Sequence, residues 1–515
     1  MTRLRFGTAG LRGPVGPGAD HMNVEVVGRT TAALAQWLID HGHQGATVVV
    51  GRDARHGSAE FFTTTVAEFG SAGFDVVALD SPAPTPVLAF TTRELGAAAG
   101  VMITASHNPP ADNGYKVYLD GGAQLIPPAD AEIEALIDAD AIPPRNPAQT
   151  TAPHPDPRAV AAPDRYLARI ASRLGTRHSS LRIALTPMHG VGGDLALRAL
   201  AGAGFTDVAV VDEQFAPDPD FPTVAFPNPE EPGASDLLLA LAHRRDADIA
   251  IALDPDADRC AVGAVVDGRW RMLTGDETGS LLGSAVLAEA DPRVESTAEP
   301  LVASTIVSGS MLAAIAAAAG ARHVRTLTGF KWLVRAGDGL RYAYEEAIGH
   351  CVDPDAVRDK DGISAAVALA ILAHDRSAAG GGLGDALDDL FVRHGVHRTG
   401  QVAIRAERLS DIADTMARLR STPPTEMAGV AVDMADHATR SDALRTDAVV
   451  FTGSAPGARI RLIARPSGTE PKLKFYLEVA LAPSDRGDLR AAKDRADALL
   501  DRLRDEAGQL AEGGS

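Results

Sequence analysis

The chain is built from short, largely apolar runs that each empty into a polar loop. Ala46–Val50 leads into Gly51-Arg52-Asp53, and Ala97–Ile103 leads into Thr104-Ala105-Ser106-His107-Asn108-Pro109. Leu181–Leu185 opens onto Thr186–Gly193, and Ala247–Leu253 onto Asp254-Pro255-Asp256-Ala257-Asp258-Arg259. A strand that is apolar on both faces has to be covered on both faces, which is the setting of a parallel sheet between layers of helix. Helical patterns at Val24–His41 and Ser58–Ala72, with a strand at Phe74–Ala78, supply that alternation. Such sheets bind ligands beyond the carboxyl ends of their strands, so the polar loops are where chemistry is expected.

A chain of 515 residues is too long for one core. Seven prolines between Pro143 and Pro163 read as a linker, after which the strand–helix rhythm restarts. A third unit begins near Leu301–Val307, continues through a helix at Met311–Ala319, and closes with helices at Ile363–His374 and Leu383–His394. The last segment reads differently: strands at Gln401–Arg405, Gly429–Met434, Arg459–Ala464 and Lys474–Ala480, a helix at Asp485–Arg504, and a frayed tail from Asp505. The expected organisation is therefore three α/β units and one α+β unit, with no repeat of solenoid period.

The net charge of −19 argues against nucleic acid as a partner, because that binding needs a positive field. It leaves room for a locally basic cleft that takes a phosphorylated small molecule. The N-terminus lacks an apolar signal core, and the Ala-rich run Met311–Ala319 is too short to span a bilayer. Two cysteines, Cys260 and Cys351, make no disulfide framework, so a cytoplasmic location is expected, without a membrane partner.

Several loops carry the chemistry. Ser106 stands at a strand exit that Asn108-Pro109-Pro110 forces into a loop. Asp254, Asp256 and Asp258, at i, i+2 and i+4, repel one another unless a cation lies among them. Their hard oxygens favour Mg²⁺, with Ca²⁺ and Mn²⁺ as the other candidates, and disfavour zinc. An EF-hand is excluded by Arg259 and Val265 at the glycine and bidentate glutamate positions. Three carboxylates leave a Mg²⁺ shell short of ligands, and such sites commonly add a substrate phosphate. Glu345, in Tyr344-Glu345-Glu346-Ala347-Ile348-Gly349-His350, suits the paired hydroxyls of a sugar. Arg465-Pro466-Ser467-Gly468-Thr469 gathers a guanidinium fork, two hydroxyls and a glycine, the donors a phosphate dianion needs. Phe6–Gly13, with three glycines and Arg12, reads as a loop that can approach an anion. Lys331 ends the short loop Thr328–Lys331, and Lys360 stands immediately before a helix whose capped start it could equally be. Neither Walker spacing nor a complete dinucleotide fingerprint is present.

In this order the loops resemble the α-D-phosphohexomutase superfamily, the phosphoglucomutase and phosphomannomutase enzymes, from Phe6 to about Tyr476. The resemblance implies four domains around a central cleft, three α/β sandwich domains and a C-terminal TBP-like α+β domain. On this chain they correspond to residues 1–157, 158–273, 274–397 and 398–515. It also implies an isomerase-class phosphotransferase with Mg²⁺ as cofactor, sugar phosphates as small-molecule partners, and a sugar bisphosphate such as glucose 1,6-bisphosphate as activator. Ser106 would be the phosphoserine; Asp254, Asp256 and Asp258 would hold Mg²⁺ together with an oxygen on Ser106. Arg12, His107 and Arg259 would line the reacting phosphoryl group, and Lys116 would be the general base and acid. Lys116 is then expected to have a lowered pKa through nearby cations. Glu345, Lys331, Lys360, Arg465, Ser467, Gly468 and Thr469 would bind substrate. Ala347 departs from the usual serine of the sugar loop, and Phe330 stands where some bacterial members carry histidine. Together with Phe221-Pro222-Thr223 and Pro227-Asn228-Pro229-Glu230-Glu231, the loop is most like the phosphoglucomutase-2/phosphopentomutase branch. A hexose phosphate mutase is the first expectation and a phosphopentomutase the second. A sugar-phosphate-binding protein without turnover, or a bisphosphate synthase, is the expectation from a different class.

Overall fold

The computed structural model of the chain describes residues 3–6, 10–119, 121–138, 156–288, 299–405, 408–466 and 472–512. The chain divides into two compact units, Met1–Leu273 with Arg341–Leu383, and Thr274–Leu340 with Gly384–Ser515.

The first unit contains two sheets built to one plan. Thr47–Arg52, Asp75–Ala78 and Ala99–Ile103 are parallel, and Asp112–Leu119 and Leu11–Pro14 extend them antiparallel. Ile183–Thr186, Val208–Val210 and Ile249–Leu253 are likewise parallel, extended by the antiparallel hairpin Cys260–Val266 and Arg269–Met272. That hairpin turns through Asp267-Gly268, both left-handed, the dipeptide and geometry that match strand twist. The apolar runs Val48–Val50 and Ile249–Leu253 are fully buried, as two-sided strands require. Helix Val24–Asp40 starts where the Asn23 side chain accepts the Val26 N–H at 2.9 Å.

Residues 341–383 complete this unit. They hold all but the first residue of the strand Leu340–Glu345, its antiparallel partner Gly349–Cys351, and helix Gly362–Ala378. Cys260 N–H donates to Ile348 O at 3.1 Å and Gly362 N–H to Ala257 O at 3.2 Å, which ties the segment to the acidic loop.

In the second unit Leu301–Thr305 and Arg322–Thr326 pair in parallel, accompanied by helices Gly275–Ala288 and Met311–Ala318. An antiparallel sheet follows in the order 397–405, 472–481, 458–466, 449–455, 430–436, 426–427, with helix Leu489–Glu512 packed on its first two strands. The expected three α/β domains and C-terminal α+β domain are thus present. No helix among the described residues is long and apolar enough to cross a membrane.

Three readings change. Of the proline-rich linker, residues 139–155 lie outside the described residues, but its end is helical, Pro157–Val160 and Ala162–Leu174. Pro157 and Pro163 sit in first turns, where the missing N–H costs no helical bond. The tail expected to fray continues the last helix to Glu512, because Leu503 and Ala507 are buried and Glu506 accepts the Ala428 N–H. The glycine-rich stretch near Arg12 becomes a strand at Leu11; its glycines permit close backbone approach, and a Cβ on Gly10 would stand 2.5 Å from Tyr115 O.

Candidate functional site

The loop after strand Ala99–Ile103 folds back on itself. Ser106 N–H donates to Thr104 Oγ1 at 2.9 Å, and Asn108 N–H to Ala105 O at 3.1 Å. Ser106 takes a left-handed φ of 54°, a conformation that costs a non-glycine residue energy and concentrates at functional loops. Ala257 and Ile348, in the acidic loop and the Glu345 loop, do the same at 54° and 51°. For the β-branched Ile348 this is an outlier. So strained: Ser106, buried, donates from Oγ to Asp254 Oδ2 at 2.6 Å, with His107 Nδ1 at 3.2 Å.

The acidic loop meets that hydroxyl from the second sheet. Asp254 Oδ1 accepts the Arg259 N–H at 2.9 Å, and Asp256 Oδ2 accepts from Thr85 Oγ1 at 2.6 Å. Lys116 comes from strand Asp112–Leu119, opposite Met102. Its Nζ lies 2.6 Å from Asp256 Oδ2 and 2.8 Å from Asp258 Oδ2. Lys360 Nζ is 3.4 Å from Asp258 Oδ2. Arg12, opposite Gly114, donates to Asn108 Oδ1 at 3.3 Å, while its buried Nε has no partner. Arg259 lies 3.9 Å from Asp258 and 3.8 Å from Glu230. Glu345 reaches this group through the Arg259–Gly349 bridge, since Gly349 pairs with Glu345 across the hairpin.

Electrostatics follow from burial. Burial and the Asp256 and Asp258 charges push the Asp254 carboxyl well above its usual range. Burial also works against Asp258, but Lys116, Lys360 and Arg259 hold it far below that range. Burial, with the Arg259 and Arg12 charges, keeps His107 neutral. The protein side chains around Lys116 by themselves act against the expected lowering of its pKa. Burial does lower it, but the Asp256 and Asp258 charges outweigh burial and the nearby cations, so the ammonium form is favoured.

The trio fits a hard divalent cation. One oxygen from each of Asp254, Asp256 and Asp258 lies within 4.8 Å of the others. Asp256 Oδ1 and Asp258 Oδ1 are buried without hydrogen-bond partners, and the donor set is wholly carboxylate. Arg12, Lys116, Arg259 and Lys360 set four cations among these three carboxylates, with Glu345, Asp359 and Glu230 also facing Arg259 or Lys360. The arrangement can bind and transfer an anionic group at a serine.

Thus Arg12, Ser106, His107, Lys116, the three aspartates, Arg259, Glu345 and Lys360 gather in the first unit. Lys331 and Arg465 belong to the second: Lys331 lies in the short helix Phe330–Leu333, and Arg465 is paired opposite Lys474 near the end of its strand. Ser467, Gly468 and Thr469 lie outside the described residues. Sequence reasoning missed Thr85, which clamps Asp256, and Arg55, whose guanidinium holds the serine loop. The strand exit at Gly51-Arg52-Asp53 was the available signal for Arg55; for Thr85 there was none.

Residues 3–142, 164–267 and 274–393 match the three families described as phosphoglucomutase/phosphomannomutase, alpha/beta/alpha domains I, II and III. The chain is 41% identical over 466 residues to the Haemophilus influenzae protein named "Probable phosphomannomutase", covering 89% of this chain and 93% of that one. It is 34% identical over 531 residues to the Homo sapiens phosphopentomutase, covering 94% and 86%. A solved phosphoglucomutase/phosphomannomutase family protein from Burkholderia thailandensis shares the fold at a TM-score of 0.72 and 21% identity, covering 99% and 98%. The chain belongs to the α-D-phosphohexomutase superfamily and is a phosphomutase acting on sugar phosphates.

Proposed function

We propose that the protein is a Mg²⁺-dependent mutase that moves a phosphoryl group between the 1- and 6-positions of a hexose phosphate, glucose or mannose, through phospho-Ser106 and a sugar bisphosphate. The observation that carries it is Ser106 Oγ held 2.6 Å from Asp254 inside a buried cluster of three aspartates and Lys116. Phosphoryl transfer needs neutralised charge and in-line positioning more than covalent help.

Asp254, Asp256 and Asp258 would hold Mg²⁺, which would neutralise the phosphoryl oxygens on Ser106. Arg12, Arg259 and neutral His107 line the phosphoryl group. Lys116, an ammonium, donates its proton to the sugar oxygen as a phosphoryl group returns to Ser106, whose own hydroxyl proton passes to Asp254, its acceptor at 2.6 Å; in the opposite direction Lys116 takes the sugar hydroxyl proton and Asp254 returns one to Ser106. Glu345 accepts from sugar hydroxyls with Lys360 and Lys331 as helpers, and Arg465, Ser467, Gly468 and Thr469 grip the phosphate that is not reacting. The bisphosphate turns round between half-reactions, and glucose 1,6-bisphosphate serves as activator. The four domains would be 1–157, 158–273, 274–397 and 398–515, in a cytoplasmic phosphoprotein. A phosphopentomutase is the second reading, favoured by Ala347 in the sugar loop and by relatives named phosphopentomutase.

Intact-mass measurement tests the carrier: the purified protein should gain one phosphoryl group from glucose 1,6-bisphosphate, and Ser106→Ala should gain none. An unmodified wild type sinks the proposal. A panel of 1-phosphates tests the sugar, and turnover of ribose 1-phosphate far above glucose 1-phosphate would replace hexose with pentose.

A further inference from the structure

We propose that Arg55 is a positioning residue for the phosphoryl-carrying loop, its buried guanidinium gathering the carbonyls that follow Ser106 so that the serine hydroxyl stays aimed at Asp254. The inference rests on the reading of Ser106 as the phosphoryl carrier.

The loop from Ser106 to Asp112 has a donor problem. Pro109 and Pro110 have no N–H to donate, and Pro109 O accepts the Asp112 N–H at 3.0 Å. One side chain serves the carbonyls of Ser106, Asn108, Pro109 and Asp112 together. Arg55 NH2 donates to Ser106 O at 2.6 Å and Asn108 O at 2.5 Å; NH1 donates to Pro109 O at 2.8 Å and Asp112 O at 3.2 Å. Only a planar fork of fixed geometry reaches four such acceptors at once, and a lysine ammonium has too few donors.

Arg55 is itself fixed from two sides. Asp53 accepts the Arg55 N–H at 3.0 Å and Ser58 Oγ at 2.6 Å, with its other oxygen 3.5 Å from Arg55 Nε. From the second α/β domain, buried Phe221 presents its ring 4.8 Å from the guanidinium carbon. Phe221 holds a left-handed φ of 46°, in a loop anchored by Asp218 N–H to His189 O at 3.0 Å and His189 Nε2 to Thr223 Oγ1 at 2.8 Å. The domain that supplies Asp254 therefore also braces the cation that sets Ser106.

A structural staple would affect stability alone, whereas a positioning residue controls the rate of folded protein. Arg55→Lys, purified and folded by circular dichroism, should keep KM for glucose 1-phosphate within about twofold. It should lose on the order of 10²-fold in kcat, the scale of a misplacement of about 1 Å. Phosphoryl incorporation at Ser106 from glucose 1,6-bisphosphate, followed by intact mass, should slow in step. Ethylguanidinium should restore part of the rate of Arg55→Ala. Phe221→Leu, outside the serine loop, should lower kcat severalfold with KM unchanged, which keeps the test open if the Arg55 variants do not fold. Wild-type kcat and incorporation rate in Arg55→Lys, or in Phe221→Leu where Arg55→Lys is insoluble, overturn the proposal whatever happens to the melting temperature. A wild type that takes up no phosphoryl group overturns the carrier reading and this one together, an outcome distinct from a variant that matches a competent wild type.

Discussion

At the residue scale, the site depends on positions where a side chain would not fit. A Cβ on Gly349 would stand 2.5 Å from Lys360 Cδ and 3.0 Å from Glu345 Cγ, so this glycine is the gap between two proposed substrate-binding side chains. Gly349→Ala should push Lys360 away from Asp258 and turn Glu345, lowering kcat/KM by about tenfold or more. Steady-state kinetics beside a thermal melt would check it, and an unchanged kcat/KM would refute the crowding. Ser106 and the aspartate trio were legible in the sequence because each follows a recognisable apolar strand. The state of Lys116 was not. Its neighbours in sequence, Asn113-Gly114-Tyr115, give no hint that Asp256 and Asp258 will close on it.

At the element scale, the turn Asp359-Lys360-Asp361 is held from both sides by buried side chains of distant elements. Tyr118 Oη and Gln124 Nε2, on neighbouring strands of the first sheet, each donate to Asp359 Oδ2 at 2.7 Å. Tyr166 Oη, on helix Ala162–Leu174, donates to Asp361 Oδ1 at 2.6 Å. Removing one hydroxyl leaves a buried carboxylate short of a donor, which costs about 1–3 kcal/mol. Tyr118→Phe and Tyr166→Phe should each lower stability by that order. Because both act on one short turn, their effects should couple in a double-mutant cycle, read by urea denaturation. Strict additivity would show that the turn does not act as one piece. The helices at Val24 and Leu383 and the buried strands were legible from periodicity. Strands Leu11–Pro14 and Asp112–Leu119 were not, since each carries a glycine whose value lies in contacts across the sheet: a Cβ on Gly114 would stand 2.6 Å from Thr104 O.

At the scale of the whole molecule, each unit holds a histidine, fully buried in the first and half-buried in the second, that resists protonation. His350, against Tyr342 and Tyr344 in the first unit, is pushed by burial from 6.5 down to about 3. His323 in the second is pushed by burial, and by Arg325, down to about 4. Above pH 6.5 both are neutral folded and unfolded, so neither alters stability. Below it the unfolded chain binds protons that the folded chain refuses. Stability then falls by about 1.4 kcal/mol per pH unit for each proton taken up, until the folded pKa is reached. Acid should therefore destabilise the protein progressively from pH 6.5 toward pH 4. In His350→Gln the slope of unfolding free energy against pH should be shallower by about one proton's worth over that range. Equal slopes would remove His350 from the account.

The sequence alone determined the α/β character, the order of domain types, the polar loops and the elements of a phosphoryl-transfer site, because two-sided strands, carboxylate spacing and proline breaks act locally. Tertiary structure decided what those loops face. The segment Arg341–Leu383 returns to the first unit through backbone bonds at Cys260 and Gly362, carrying Glu345 and Lys360 to aspartates about a hundred residues earlier. Long-range hydrogen bonds also chose Arg55 over the adjacent Arg52 as the cation beneath Ser106. Nothing in Gly51-Arg52-Asp53-Ala54-Arg55 distinguishes the two arginines. The difference arises only when the Ser106–Asp112 carbonyls converge on one of them and exclude water.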